Sequence, residues 1–309
     1  MTAPRLTALT AEDVDRVIAP VPQRSNRFPP LKRRYSVTAD ILSYRRCRRQ
    51  YGFFNRRSYS PAQSGQLYFG TVIHLTLDKA HAHFRGELEG TNHGDIPDEA
   101  DIRRYFDQAS EALHNQGIRR LSDDSMMKAL EYVQAFNTTF GRDVYPRIID
   151  TEHHLQKDKG QYILHGIVDV VAQTTPGSGW QDYEIWDYKG AKLPRNNADG
   201  RRDLENYRFQ MRVYAHLYQL RNDARPKRAV LWFLGESDSR KQQCEVSLSD
   251  DSIDQAVRAF EETVGRIETS IRTDDWSRIG PPDAPAEETC SACDIRWNCP
   301  ARKYTLRAI

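Results

Sequence analysis

The chain has 309 residues, 39% of them hydrophobic and 28% charged, with a formal net charge of +2. That balance suits a soluble globular protein with a real core, and no apolar run approaches the ~18 residues needed to span a membrane. The opening MTAPRLTALTAEDVDRV lacks the basic-then-apolar order of a signal peptide, and five cysteines is an odd count for a disulfide framework. The expectation is a cytoplasmic protein, built as one large domain or as a core with a helical annex.

Residues 1–34 hold Pro20, Pro22, Pro29 and Pro30 without sustained periodicity, which predicts a flexible or loosely docked arm. From Ser36, placed as an N-cap, Val37, Ile41, Tyr44, Cys47 and Tyr51 recur at helical spacing. The same stretch is strongly basic: between Arg24 and Arg57, Asp40 is the only acid. Such a stripe attracts phosphates, and interleaved aromatics can stack on unpaired bases. Arg45, Arg46, Arg48, Arg49, Tyr51 and Phe54 are therefore candidate nucleic-acid contacts. The alternative is a solvated helix face with some core aromatics.

GQLYFGTVIHLTLDKAHAHF (65–84), 98–116 and 122–144 predict three more helices. The period then changes, and 147–156, 161–173 and 182–191 predict consecutive strands. A helix at 203–222, strands at 227–236 and 241–248 and a helix at 250–272 follow. A Pro-rich bridge at 280–285 leads to the last cysteines. This order predicts an α/β core with a mixed central sheet, preceded by a helical insertion. The expected divisions are an arm (1–34), a helical region (35–145), a core (146–279) and a C-terminal cysteine segment (280–309).

Alternation in the second strand puts Ile163, His165, Ile167, Asp169 and Val171 on one face. In the third strand Tyr183, Ile185, Asp187 and Lys189 share a face, so an acid and a lysine reach toward one bound ion or water. Mg²⁺ takes carboxylates together with substrate phosphate, and can polarise a phosphodiester while a lysine beside it orients the attacking water. A buried Asp–Lys ion pair is the alternative. His74 stands one helical turn after Gly70, whose missing side chain permits close approach. Gln210 and Tyr214, at i and i+4, project from one face of the helix after the third strand.

The order Gly70-x-x-x-His74, Gly166-x-x-Asp169, Asp187-x-Lys189, Gln210-x-x-x-Tyr214 resembles the RecB-like branch of the PD-(D/E)xK nuclease superfamily. The resemblance runs from about Ser36 to Cys299. It implies a restriction-endonuclease-like core in which His74, Asp169 and Asp187 bind Mg²⁺ or Mn²⁺, helped by the backbone carbonyl of Tyr188. Lys189 would be the catalytic lysine, and Gln210 with Tyr214 the family's glutamine–tyrosine motif. Glu152, in the first strand, stands where the family often has an acid, and no role is assigned to it here.

Cys290, Cys293 and Cys299 form a compact set of three thiols, whereas zinc and iron–sulfur clusters usually want four ligands. No second CxxC exists and no histidine follows, so a fourth ligand must come from elsewhere. Cys47 lies within the basic stripe, while Cys244, between Gln243 and Glu245 in a strand, reads as a packed core thiol. RecB-like nucleases of the AddB and CRISPR-adaptation kinds carry one cysteine before the core and three after it. That resemblance implies a [4Fe–4S] cluster on Cys47, Cys290, Cys293 and Cys299, clipping the two ends together; a structural zinc is the alternative. The function implied is a metal-dependent nuclease, an exonuclease on single-stranded DNA, in repair, recombination or phage defence, with a helicase as candidate partner. A DNA-binding accessory iron–sulfur protein without nuclease activity is the competing reading, and a zinc-stabilised binding module a third.

Overall fold

Six strands form one mixed sheet in the computed structural model, which describes residues 32–56, 65–179, 182–277, 285–291, 293–296 and 299. They are β1 (Arg33–Ser36), β2 (Ile148–Asp158), β3 (Tyr162–Gln173), β4 (Tyr183–Lys189), β5 (Arg228–Phe233) and β6 (Gln243–Val246). Their order is β1-β3-β4-β5-β6, with β2 also paired to β3. β2, β3 and β4 run antiparallel in succession, as do β5 and β6, whereas β4 and β5 are parallel. A parallel pair needs a long crossover, and the helix between β4 and β5 supplies it. The arm expected over 1–34 lies outside the described residues as far as position 31, and much of the C-terminal cysteine segment does too.

Local chemistry sets the helix starts. Before α4 (Glu99–Asn115), the Asp98 side chain accepts from the Asp101 N–H and Asp101 answers at the Asp98 N–H, a reciprocal capping box. Ser122 caps α5 (Asp123–Val144), and Ser249 caps α7 (Asp250–Thr273). The helix expected at 203–222 begins earlier. It is α6 (Ala198–Asn222), because the Asn197 side chain accepts from the Gly200 N–H at 2.8 Å.

The helix expected to run unbroken from Ser36 through Phe54 is segmented instead. A wide turn at Val37–Leu42 leads into α1 (Ser43–Arg46). Cys47 is then extended (φ −161°, ψ 106°), and α2 (Arg48–Tyr51) resumes before a second wide turn at Gly52–Arg56. Tertiary contacts pull the two halves to different partners. Arg45 Nη2 donates to the Ala259 carbonyl of α7 at 2.6 Å, while Arg48 Nη2 donates to the Asp275 carbonyl beyond α7 at 2.6 Å.

Two cores cover the sheet. The first joins it to α6, α7 and the segmented N-terminal helix, through residues such as Tyr44, Tyr51, Ile185, Val213 and Phe260. The second joins it to α3 (Gly65–Phe84), α4 and α5, through Val72, Phe106, Phe136, Trp186 and Trp232. β4 contributes to both by alternation, Ile185 to one and Trp186 and Tyr188 to the other. Helices from 35–145 thus share a core with strands of 146–279. This places α3, and with it His74, against the carboxyl end of β4.

Candidate active site

The backbone ladder between β3 and β4 runs from Gln173↔Tyr183 to Val170↔Trp186 and stops there. β4 continues against β5 as far as Lys189↔Phe233. Its carboxyl end is therefore held by β5 while β3 diverges, which opens a cleft. A strand N–H in such an opening needs another acceptor. Asp169 provides one: its Oδ2 accepts from the Tyr188 N–H at 2.7 Å. The Tyr188 carbonyl in turn accepts from His74 Nε2 at 2.9 Å. The other ring nitrogen, Nδ1, lies 3.5 Å from Asp169 Oδ2.

Alternation along β3 slips at this point. Val168 and Val171 both face the first core, whereas Val170 and Ala172 face the second. The single face expected for Ile163 through Val171 therefore breaks at Asp169, where the strands part. Across from Asp169, Glu152 lies between the pairs Thr151↔Val170 and His153↔Val168. Its backbone is left-handed, with φ 49°, a conformation rare for a residue with a side chain and often found at functional sites.

His74, Glu152 and Asp169 each offer one ligand atom, and these atoms lie within 4.8 Å of one another. Glu152 is the member that the sequence reading left without a role. Its position opposite Asp169 was readable once the strands were aligned, but its left-handed backbone was not. Burial opposes the charged His74 ring, but Asp169 and, more weakly, Asp187 outweigh it and raise the pKa to about 9. Burial likewise penalises the Asp169 carboxylate, and His74, Lys189 and the Tyr188 N–H together hold its pKa low. Glu152 is exposed as a residue, yet its carboxyl lies among protein atoms. Burial, then the Asp169 charge, raise it to about 7.

Asp187, also expected among the metal ligands, has its carboxylate held by Lys189 and Gln210. Only 3% exposed, it places Oδ2 2.5 Å from Lys189 Nζ, and its Oδ1 accepts from Gln210 Nε2 at 3.1 Å. Gln210 Oε1 accepts from Lys189 Nζ at 3.4 Å, so one amide holds both members of the pair. Burial and the nearby Asp169 charge push the Asp187 pKa up against the pull of Lys189. Burial alone would lower the Lys189 pKa, but the two carboxylates outweigh it and keep the ammonium charged. Tyr214 stands behind Gln210, its hydroxyl 3.3 Å from Nε2. Its ring covers Gly166 so closely that a Cβ there would sit 2.5 Å from Tyr214 Cε1. Tyr214 is buried, and its hydroxyl braces the glutamine. Tyr207, one turn before Gln210, was missed; Lys189 Nζ lies 4.5 Å from its ring centre. Its i−3 spacing from Gln210 was the available signal.

The basic stripe is largely engaged with the protein itself. Arg45 donates to Thr263 Oγ1 at 3.0 Å as well as to Ala259, and its guanidinium lies 4.5 Å from the Phe209 ring centre. Arg48 pairs with Asp275, and Arg49 lies over Phe53. These contacts favour a bracing role over phosphate binding for Arg45 and Arg48. Arg46 is exposed and within electrostatic range of Tyr207, beside Lys189. Phe54 is half-buried. Tyr51 corrects the expectation of a stacking ring: it is 4% exposed, donates to Asp40 Oδ1 at 2.9 Å, and packs edge-on against Tyr44. Tyr51→Ala is expected to destabilise the fold by about 3–5 kcal/mol, as for other buried aromatics. Thermal denaturation reads that loss; a normal melting curve with selectively weakened single-strand binding would overturn it.

Among the described residues no cysteine set meets the same close spacing as His74, Glu152 and Asp169. Cys47 is nonetheless within electrostatic range of Cys290, Cys293 and Cys299. Burial raises the Cys47 pKa, and Cys290 and Cys299 add to that rise. Burial does the same for Cys293, with smaller rises from Cys47 and Cys299, against the opposing pull of a side-chain hydrogen bond from Gln50 of α2. Cys244 belongs to β6, away from this group, and packs against the first core.

The sequence matches the family model described as the PD-(D/E)XK nuclease superfamily over residues 35–300. No curated protein matches it. A candidate exonuclease from Eubacterium rectale has a similar solved structure, with a TM-score of 0.51 at 14% identity over 89% of this chain and 90% of that one. At that identity the likeness speaks for the fold. SSO0001 aligns more weakly, with a TM-score of 0.35 at 12% identity over 83% of this chain and 96% of that one, too low to argue from. No helix among the described residues is long and apolar enough to cross a membrane. With the acid–lysine pair at the open end of β4 and a family match spanning most of its length, the chain belongs to the PD-(D/E)XK nuclease superfamily, whose nucleases hydrolyse phosphodiester bonds.

Proposed function

We propose that the protein is a metal-dependent deoxyribonuclease that digests single-stranded DNA from an end. The observation that carries this reading is the donor set of His74, Glu152 and Asp169 beside the Asp187–Lys189 pair. Two carboxylates and one imidazole suit a hard cation, and the Tyr188 carbonyl keeps a second lone pair for it. When bound there, Mg²⁺ or Mn²⁺ supplies charge that polarises a phosphodiester and eases ionisation of water. Lys189 holds its ammonium at the edge of the same site, where it can donate to the attacking water or to a phosphoryl oxygen. In hydrolysis the water oxygen joins phosphorus, the bond to one sugar oxygen breaks, and the departing oxygen takes up a proton. Gln210, braced by Tyr214, keeps Asp187 and Lys189 at fixed spacing throughout.

The same proposal includes a [4Fe–4S] cluster on Cys47, Cys290, Cys293 and Cys299. It is supported by their mutual electrostatic influence across opposite ends of the chain. A setting in DNA repair, recombination or phage defence, with a helicase as partner, belongs to the proposal through the family resemblance. The test is digestion of labelled single-stranded DNAs blocked at the 5′ or the 3′ end, with Mg²⁺ or Mn²⁺. Degradation stopped by one block supports the exonuclease reading. Cleavage indifferent to both blocks would make it an endonuclease, and no cleavage of any DNA would sink the reading.

A further inference from the structure

The loop that leaves Lys189 forms one wall of a groove that the chemistry above does not use. Its volume is about 440 Å³. Gly190 abuts α3, since a Cβ there would lie 2.8 Å from Ile73 Cδ1 and 3.2 Å from Phe69. Phe69 stands edge-on to Tyr132 of α5, with ring centres 5.9 Å apart. Gly235, after β5, closes the floor: its N–H donates to the Ala191 carbonyl at 3.0 Å, and a Cβ would sit 2.9 Å from the Tyr132 hydroxyl oxygen. A continuous run of contacts, Lys189–Gly190–Phe69–Tyr132, thus leads from the candidate site into the groove. Farther along α5, Met127 is 61% exposed, a large apolar side chain on the outer rim.

The charges in the groove balance. Lys128 and Lys192 line it, and so do Asp124 and Glu131, two cations against two acids. A site with no net charge does not gather anions at large, so an occupant must be recognised by its apolar face as well. Lys128 Nζ lies 5.8 Å from the Tyr132 ring centre, which pairs a cation with an aromatic surface at the groove. Ring, thioether and ammonium together match a nucleobase with its attached phosphate.

We propose that this groove seats an unpaired nucleotide of the DNA strand next to the scissile phosphate. The base rests against Tyr132 and Met127, and its phosphate meets Lys192 or Lys128. This rests on the nuclease reading above and deepens it, because a base inside a duplex has its faces covered by its stacked neighbours. The groove thereby selects single strands over duplex.

Binding of a fluorescent single-stranded oligonucleotide and of its duplex, read by anisotropy in full-length protein carrying Lys189→Ala, tests the proposal. Tyr132→Ala is expected to weaken single-strand affinity by about 5- to 100-fold, the range for losing one aromatic–base stack. Tyr132→Phe keeps the ring and should bind nearly as the parent. Because Tyr132 touches Phe69 and Gly235, its removal can also perturb folding, and Met127→Asp serves as the second probe. That side chain is exposed, so the melting temperature should hold while single-strand affinity falls and duplex affinity changes little. Unchanged single-strand affinity in both Tyr132→Ala and Met127→Asp overturns the groove assignment alone. A protein with Lys189 intact that neither binds nor cuts DNA overturns the nuclease reading with it.

Discussion

Lys189→Ala is expected to slow cleavage of single-stranded DNA by about 10²–10³-fold, the loss typical when one preorganised donor is removed from a charge-stabilising site. Its ammonium lies 2.5 Å from Asp187 Oδ2 and 3.4 Å from Gln210 Oε1, so its place is set before substrate arrives. Binding should persist, because the groove beyond Gly190 and the exposed Arg46 are untouched. Asp187→Asn should be similarly inactive, since it removes the charge that holds Lys189 in the cleft. Gln210→Ala is informative in another way. It touches both members of the pair, so its effect should fall on turnover, with substrate affinity preserved. Single-turnover cleavage beside anisotropy measurements separates the two. A Lys189→Ala protein that cuts at the parental rate would displace the active site from the end of β4.

Protein purified without oxygen is expected to be brown, with broad absorbance near ~400 nm from iron bound to sulfide and thiolate. Replacing Cys47, Cys290, Cys293 or Cys299 by Ala should bleach the colour and lower stability. Cys47 and the other three stand at opposite ends of the chain, so a cluster closes a very long loop. Chain-entropy arguments assign such a closure on the order of 5–6 kcal/mol. Cys47 is well placed to act as the hinge of that clip, because its extended backbone lets α1 follow Arg45 to α7 while α2 follows Arg48 to Asp275. Cys244→Ala should keep the colour, as that thiol sits in β6. Iron and zinc analysis decides the matter: stoichiometric zinc in a colourless native protein would replace the cluster by a structural zinc site.

Legibility followed the range of the forces involved. Most of the helices and strands were readable because apolar periodicity and capping are local: Asp98, Ser122 and Ser249 mark helix starts within a few residues, whereas β1, at the end of the expected arm, was not. The shared face of Asp187 and Lys189 was readable for the same reason, since strand alternation carries over two residues. The early start of α6 was missed although its cap, Asn197, was visible. Helical periodicity begins weakly there, and the cap outweighs it.

Other features depend on partners distant in sequence. Tyr51 and a base-stacking ring look alike in one dimension, and only the Asp40 carboxylate that accepts from its hydroxyl and the neighbouring Trp276 make it core. Arg45 and Arg48 read as a phosphate stripe until α7 and Asp275 claim their guanidinium groups. Glu152 joins His74 and Asp169 because β2 pairs beside β3 where β3 leaves β4, a register decided by the whole sheet. What the sequence alone determined, then, is the inventory and local phase of the chemistry: which strand end carries the acid and lysine, and which helix carries His74. The tertiary structure decided which side chains face one another across the cleft, because carboxylates and rings have no fixed partner until long-range packing brings one within a few ångströms.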